Sequence, residues 1–187
     1  MEGVYMIYGI FGLPRSGKTT LLAKIARKNQ RKGVKVYSNF ACKGCYKLDF
    51  STLGKLDYHD CVLLIDEISL LCDSRDWKTF SSDLVYFFTH HGHYGVDVYY
   101  CSQWLTDCDV KIRRMTESLL YVENFAFGIS AKYRVLREIT TNDAGEICDC
   151  YRFKFSMPYF RRPYYKMFDS FTRKSLPAVK DELWTVV

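Results

Sequence analysis

Two groups of residues in this chain have the types and spacing that phosphate chemistry needs. Gly12-Leu13-Pro14-Arg15-Ser16-Gly17-Lys18-Thr19 is a complete G-x-x-x-x-G-K-T phosphate loop, with Thr20 directly after it. Glycines let backbone N–H groups curl around phosphate oxygens. Lys18 is spaced to reach β- and γ-phosphates, and the Thr19 hydroxyl to hold magnesium. The second group is Asp66-Glu67, which ends the apolar run Cys61-Val62-Leu63-Leu64-Ile65 in the form of a Walker B element. In open α/β sheets ligands bind beyond the carboxyl ends of the strands, so this pair is expected beside the loop. Asp66 then joins the magnesium shell, and Glu67 orients and deprotonates an attacking water. ATP and Mg2+ are the cofactors this pattern calls for.

Other candidates are single residues. Ser102-Gln103 follows an expected strand over 96–101, and a Gln103 amide there could sense a γ-phosphate. Arg75, Arg113 and Arg114 are candidates for a guanidinium lent to a neighbouring subunit's site. Cys42-Lys43-Gly44-Cys45 and Cys148-Asp149-Cys150 could supply four thiolates to zinc if folding brought them together. Ordinary packing or surface thiols are the competing reading.

The elements that must position these groups can be read from periodicity. Met6 to Phe11 has strand character, and Leu21, Leu22, Ile25 and Ala26 recur at helical spacing. A strand, a tight loop and a helix N-terminus facing an anion is the arrangement a phosphate loop requires. Val34 to Phe40 reads as a second strand, and 41–60 as irregular. Cys61 to Ile65 suits a central parallel strand buried on both faces. Trp77, Phe80, Leu84, Phe87, Phe88 and His91 predict an amphipathic helix. Ile112, Met115 and Leu119 predict a short helix entering a strand at Leu119–Val122. Tyr133 to Thr141 and Ile147 to Phe155 read as a hairpin. The whole is expected to be α/β: a three-layer P-loop NTPase, RecA-like with a mainly parallel sheet, and a C-terminal antiparallel hairpin. Residues 1–125 form the ATPase core. Residues 126–187 form the hairpin and an aromatic, basic tail of the same domain.

Composition narrows the setting. The net charge of +6 fits a nucleic-acid or acidic-membrane partner without demanding one. The basic stretch from Arg27 to Lys35 reads as the solvated end of the loop helix, stopped at Gly33. No secretory leader and no transmembrane helix are expected. Nucleotide chemistry without a leader argues for a reducing cytoplasm, where the eight cysteines are thiols. There is no N-K-x-D motif for guanine.

Several segments together resemble the zonular occludens toxin family, which includes the gene I assembly proteins of filamentous phages. They are the phosphate loop Gly12–Thr19, Lys35-Val-Tyr-Ser-Asn39, Leu63-Leu-Ile-Asp-Glu67 and Ser74-Arg75 before Trp77. They continue with His91-Gly-His-Tyr-Gly-Val-Asp97, Ser102-Gln103, Asp109-Val-Lys-Ile-Arg113 and Phe168-Asp-Ser-Phe171. The resemblance implies a RecA-like ATPase of the FtsK/HerA kind. It carries over Lys18, Thr19, Asp66 and Glu67 as nucleotide-site residues, Gln103 as a sensor, and Arg75 or Arg113 as trans-acting arginines. His91 and His93 match a family segment and read as structural histidines. Gly92 stands where arginine is common in the family.

The function this implies is an ATP-hydrolysing motor for phage morphogenesis, driving assembly or extrusion of single-stranded DNA virions. The implied partners are copies of itself in a hexameric ring, single-stranded DNA or a DNA–protein complex, and a membrane-embedded assembly protein. The implied location is the host cytoplasm, peripheral to the inner membrane through partners. A viral genome-packaging ATPase of the FtsK/HerA type is the alternative. A nucleotide-dependent switch and a small-molecule kinase are weaker ones, because Glu67 favours turnover and the acid pair favours water as acceptor.

Overall fold

The structure, a computed structural model, describes residues 5–72, 81–141 and 147–168, with 126, 137–141 and 147–150 described by backbone alone. Among the described residues, eight strands form one sheet. In chain order they are β1 (Ile7–Phe11), β2 (Lys35–Ser38), β3 (Tyr46–Lys47), β4 (Cys61–Ile65), β5 (Val96–Ser102), β6 (Ser118–Phe125), β7 (Ile129–Thr141) and β8 (Ile147–Phe160). The helices are α1 (Lys18–Gln30), α2 (Ser82–His90) and α3 (Val110–Met115). Across the sheet the order is β3-β2-β4-β5-β1-β6-β7-β8. β3 to β6 in that order run parallel, and the last two strands are antiparallel additions.

Alternation of side chains divides the core in two. Cys61, Leu63 and Ile65 of β4 point to one side, with Ile7, Val98, Leu84, Phe88 and Ile112. Val62 and Leu64 point to the other, with Ile10, Leu21, Leu22, Ala26 and Val36. All five residues of β4 are buried, which explains why its sequence is an unbroken apolar run rather than an alternating one. Helix α1 therefore covers one face, and α2 with α3 the other, giving three layers. β5 separates β1 from β4, the RecA-like order expected from the sequence.

Three differences from the sequence expectations matter. The 41–60 stretch contains an edge strand, β3, and a short 3-10 turn over Phe50–Thr52. Helix α2 begins at Ser82, where the Ser81 hydroxyl accepts a hydrogen bond from Leu84 N, and its expected start at Trp77 and Phe80 lies outside the described residues. The hairpin strands run longer than expected toward the phosphate loop. Pro158 obscured this extension, but it sits on an edge strand beside a register shift between Ser130 and Lys132, where a missing N–H is tolerated.

Leu63 is fully buried in β4, whereas Leu70 is largely exposed. Leu63→Ala is expected to lower the unfolding free energy by about 2–5 kcal/mol in urea titrations, and Leu70→Ala to change it by less than about 0.5 kcal/mol.

Candidate functional site

The phosphate loop leaves β1 at Gly12, whose N–H donates to Gln103 O at 3.3 Å, so the ends of β1 and β5 are tied together. Lys18 is buried, and its ammonium donates to the carbonyls of Gly12 (2.7 Å) and Leu13 (3.1 Å). The lysine thus curls over its own loop, satisfied by carbonyls at the place a phosphate would take. Gly17 precedes α1 with φ of +107°, a region that favours glycine. A Cβ there would also run into Ser130 Oγ, with Tyr159 OH 3.1 Å away.

The acid pair meets the loop as the strand order requires. The Thr19 hydroxyl donates to Asp66 Oδ2 at 2.7 Å. Asp66 Oδ1 is buried with no hydrogen-bond partner. A hydroxyl beside an unpartnered buried carboxylate oxygen suits a hard, oxygen-seeking cation, so Thr19 and Asp66 fit magnesium. Burial raises the Asp66 carboxyl above the usual range, against the Thr19 hydrogen bond and the Lys18 charge. Glu67 is raised chiefly by burial and then by Asp66, while Lys18 and a Gln103 hydrogen bond pull it down. Its backbone sits at φ +49°, uncommon for a residue with a side chain, and turns the carboxyl away from the strand direction.

Gln103 therefore stands by both halves of the site: its carbonyl accepts from Gly12 N–H, and its side chain is near enough to Glu67 to lower that carboxyl. A cavity of about 330 Å³ is lined by Pro14, Arg15, Gly17, Lys18, Thr19, Thr20, Glu67, Arg161, Tyr165 and Phe168. Tyr165 and Phe168 also wall a larger cavity of about 830 Å³ between the β2–β3 region and the chain after β8. Gly12, Leu13 and Ser16 form the loop but not the cavity wall; Ser16 is buried.

Not every candidate joins this cluster. Arg113 lies on α3, its Nε donating to Cys108 O at 3.1 Å, and with Arg114 it lines a different cavity. Arg75 lies outside the described residues. His91 is buried with Nδ1 2.9 Å from Phe88 O, and His93 is exposed. Cys45 N–H donates to Cys42 O at 3.0 Å in the turn between β2 and β3, while Cys148 and Cys150 lie on β8 at the opposite sheet edge. The four thiols are not brought together, and among the described residues no three His, Cys, Asp or Glu side chains form a metal cluster.

Four contributors escaped the sequence reading as site residues. Asn39 clamps the acid strand: its Oδ1 accepts from Asp66 N at 2.7 Å and its Nδ2 donates to Asp66 O at 2.9 Å. The hairpin grips the phosphate loop from outside. Ser130 donates to Ser16 O (2.6 Å), Tyr159 OH to Gly17 O (2.8 Å) and Arg161 Nη1 to Arg15 O (3.1 Å). Arg161 also reaches Asn124 Oδ1 at 2.8 Å. Their partners are backbone carbonyls more than a hundred residues away, and no local spacing signals such bonds.

A phosphate loop feeding α1, an acid pair on the strand two places away and an intervening β5 define a P-loop NTPase fold with RecA-like order. The chain belongs to the zonular occludens toxin (Zot) family, whose model matches residues 43–174. Among solved structures it is similar to the N-terminal domain of zonular occludens toxin from Neisseria meningitidis, at 14% identity and a TM-score of 0.55, over 89% of this chain and 100% of that one. It is also similar to the genome-packaging NTPase B204 of Sulfolobus turreted icosahedral virus 2. The form with sulfate gives 12% identity and a TM-score of 0.55 over 79% of this chain and 96% of that one. The form with ATP-gammaS gives 13% identity and 0.53 over 79% and 97%. No curated protein sequence matches the chain.

Two outcomes follow from this geometry. Ionised Asp66 is penalised in the fold, because its folded value is raised. That penalty is absent below the ordinary carboxylate range and grows as pH rises through the folded value. Asp66→Asn is therefore expected to raise the urea midpoint at pH 8 above the parent's, with the gap closing in acid. Tyr159→Phe is expected to cost about 1 kcal/mol in the same titration by removing its hydrogen bond to Gly17 O, which keeps the bond from Leu21 N.

Proposed function

We propose that this chain is an ATP-hydrolysing motor for phage morphogenesis, driving assembly or extrusion of single-stranded DNA virions. The observation that carries the reading is the cavity lined by Lys18, Thr19 and Glu67, with Asp66 held beside it by the Thr19 hydroxyl and its Oδ1 left unpartnered. Membership of the Zot family supports it.

Each group has one task. The loop amides and Lys18 bind and orient the β- and γ-phosphates; Lys18 exchanges its bonds to Gly12 and Leu13 carbonyls for phosphate oxygens. Thr19 and Asp66 would hold magnesium, which would supply charge neutralisation on the phosphates. Glu67 accepts a proton from the attacking water at its carboxylate. Gln103, bonded to Gly12 and beside Glu67, reports the loss of the γ-phosphate to β5. The working form is a homo-oligomeric ring, a hexamer, in which Arg113 or Arg75 completes a neighbour's site. Its cargo is single-stranded DNA or a DNA–protein complex, handled in the host cytoplasm with a membrane-embedded assembly partner. Among the described residues no helix is long and apolar enough to cross a membrane. A genome-packaging role is the second reading, favoured by the fold shared with B204.

Glu67→Gln tests the chemistry. Binding of ATP is expected within about threefold of the parent, with phosphate release slowed at least about 100-fold. Unchanged release would contradict the assignment. Because burial raises Glu67, the acid limb of kcat/KM should lie above about 4.3, the ordinary glutamate value. Circular single-stranded DNA is expected to stimulate phosphate release; transfer of phosphate to a small metabolite instead would identify a kinase.

A further inference from the structure

Helix α1 packs over β2, β4 and β5, and α2 and α3 belong to the opposite face. On its own side α1 meets the β6–β8 part of the sheet through Val122 and Tyr159, while its main contacts stay on β2, β4 and β5. The side chains presented there follow from register. Lys132 pairs with Val122 and Arg134 with Leu120, and both partners pack into the α1-side core. Lys154 pairs with Arg134 and shares its face. Lys24 and Lys28, one turn apart on α1, approach from the helix side, with Lys24 Nζ 5.2 Å from the centroid of the Tyr159 ring.

The charges that act on Lys132 are all of its own sign. The charges acting on half-buried Lys132 are Lys24, Arg134 and Lys28, and burial adds to them in favouring its neutral form. Lys24 feels burial and then Lys28. The ion pairs His59–Asp57 and His91–Glu117 lie away from these cations. Gathering like charges beside a low-dielectric surface costs stability unless an anion offsets it.

We propose that this face, formed by Lys24 and Lys28 of α1 and by Lys132, Arg134 and Lys154 of the hairpin, binds the phosphodiester backbone of single-stranded nucleic acid. The choice of nucleic acid rests on the motor reading above; the surface itself does not depend on ATP. Rings lie on the same side: Tyr8 and Tyr99 stack at 4.3 Å, and Tyr8 feels Asp97 and Glu117 as well as Arg134, so the cationic face ends there. Cations beside aromatic rings suit a single strand, whose bases can stack. An anionic bilayer would also need apolar groups among the cations. The exposed Phe153 and Phe155 instead point to the opposite face, against Tyr121 and Tyr133.

The test is fluorescence anisotropy of labelled oligo(dT) of about 30 nucleotides with the full chain, without nucleotide, across about 50–300 mM KCl. Wild type should bind with log affinity falling linearly against log salt. Lys132→Gln/Arg134→Gln should flatten that slope by about 1.4, about 0.7 for each lost contact, and weaken binding at least about tenfold at low salt. Lys47→Gln/Lys55→Gln, at the other sheet edge, should stay within about twofold. Relief of repulsion predicts an unchanged or higher urea midpoint for the hairpin variant, which separates lost contact from misfolding. Equal binding by that variant and wild type, or wild-type binding to phosphatidylglycerol vesicles but not to oligo(dT), would overturn the proposal. A chain that binds oligo(dT) through these residues yet fails to bind ATP would leave this proposal standing and sink the motor.

Discussion

The hydrogen bond from Thr19 to Asp66 joins the first turn of α1 to the end of β4 and fixes the distance between the two halves of the site. It exists because β1, β5 and β4 pair in parallel with matched ends, so that Phe11 stands against Ser102 and Ile65 against Tyr100. A one-residue slip in either pairing would turn the buried run of β4 over and carry the acids out of reach. The apolar packing on both faces of β4 thereby sets the geometry at its polar tip. Asn39 adds to this by holding Asp66 through both its N–H and its carbonyl. The carboxylate itself is left with one oxygen unpaired, so the fold accepts a local penalty that a bound cation removes.

The hairpin is part of the same mechanical unit. Tyr159 lies at its centre: its hydroxyl bonds the phosphate loop at Gly17, and its ring lies under Lys24. Ser130 and Arg161 hold the loop at neighbouring carbonyls. A ligand drawn to the cations of α1 and the hairpin would sit one side chain from the loop that grips phosphate. Movement of β7 and β8 would reach Ser16, Gly17 and Arg15 directly, through bonds that tolerate little displacement. In a motor such a linkage lets a load on the sheet edge alter the nucleotide site.

The sequence made the centre of the molecule legible. The phosphate loop has a fixed spacing because each position meets a different part of one ligand. β4 reads as a double-faced strand because no polar residue interrupts Cys61 to Ile65. The RecA-like strand order was also within reach, since Ser102-Gln103 had to end a strand near the loop. The periphery was harder to read. Ser130, Tyr159 and Arg161 act through backbone carbonyls of the loop, and any polar residue of suitable reach could do so. The length of β8 was hidden by Pro158, whose cost vanishes only because the strand is at an edge. The cationic face depends on which hairpin residues alternate inward, and that depends on a register shift no local pattern reveals.

A crystal structure with Mg2+ and ATP-gammaS tests the central claim most directly. The account predicts Lys18 Nζ released from the Gly12 and Leu13 carbonyls and bonded to β- and γ-phosphate oxygens, with Thr19 and the free oxygen of Asp66 turned to the metal. Nucleotide bound elsewhere, or bound with the Lys18 and Thr19–Asp66 bonds intact, would contradict it.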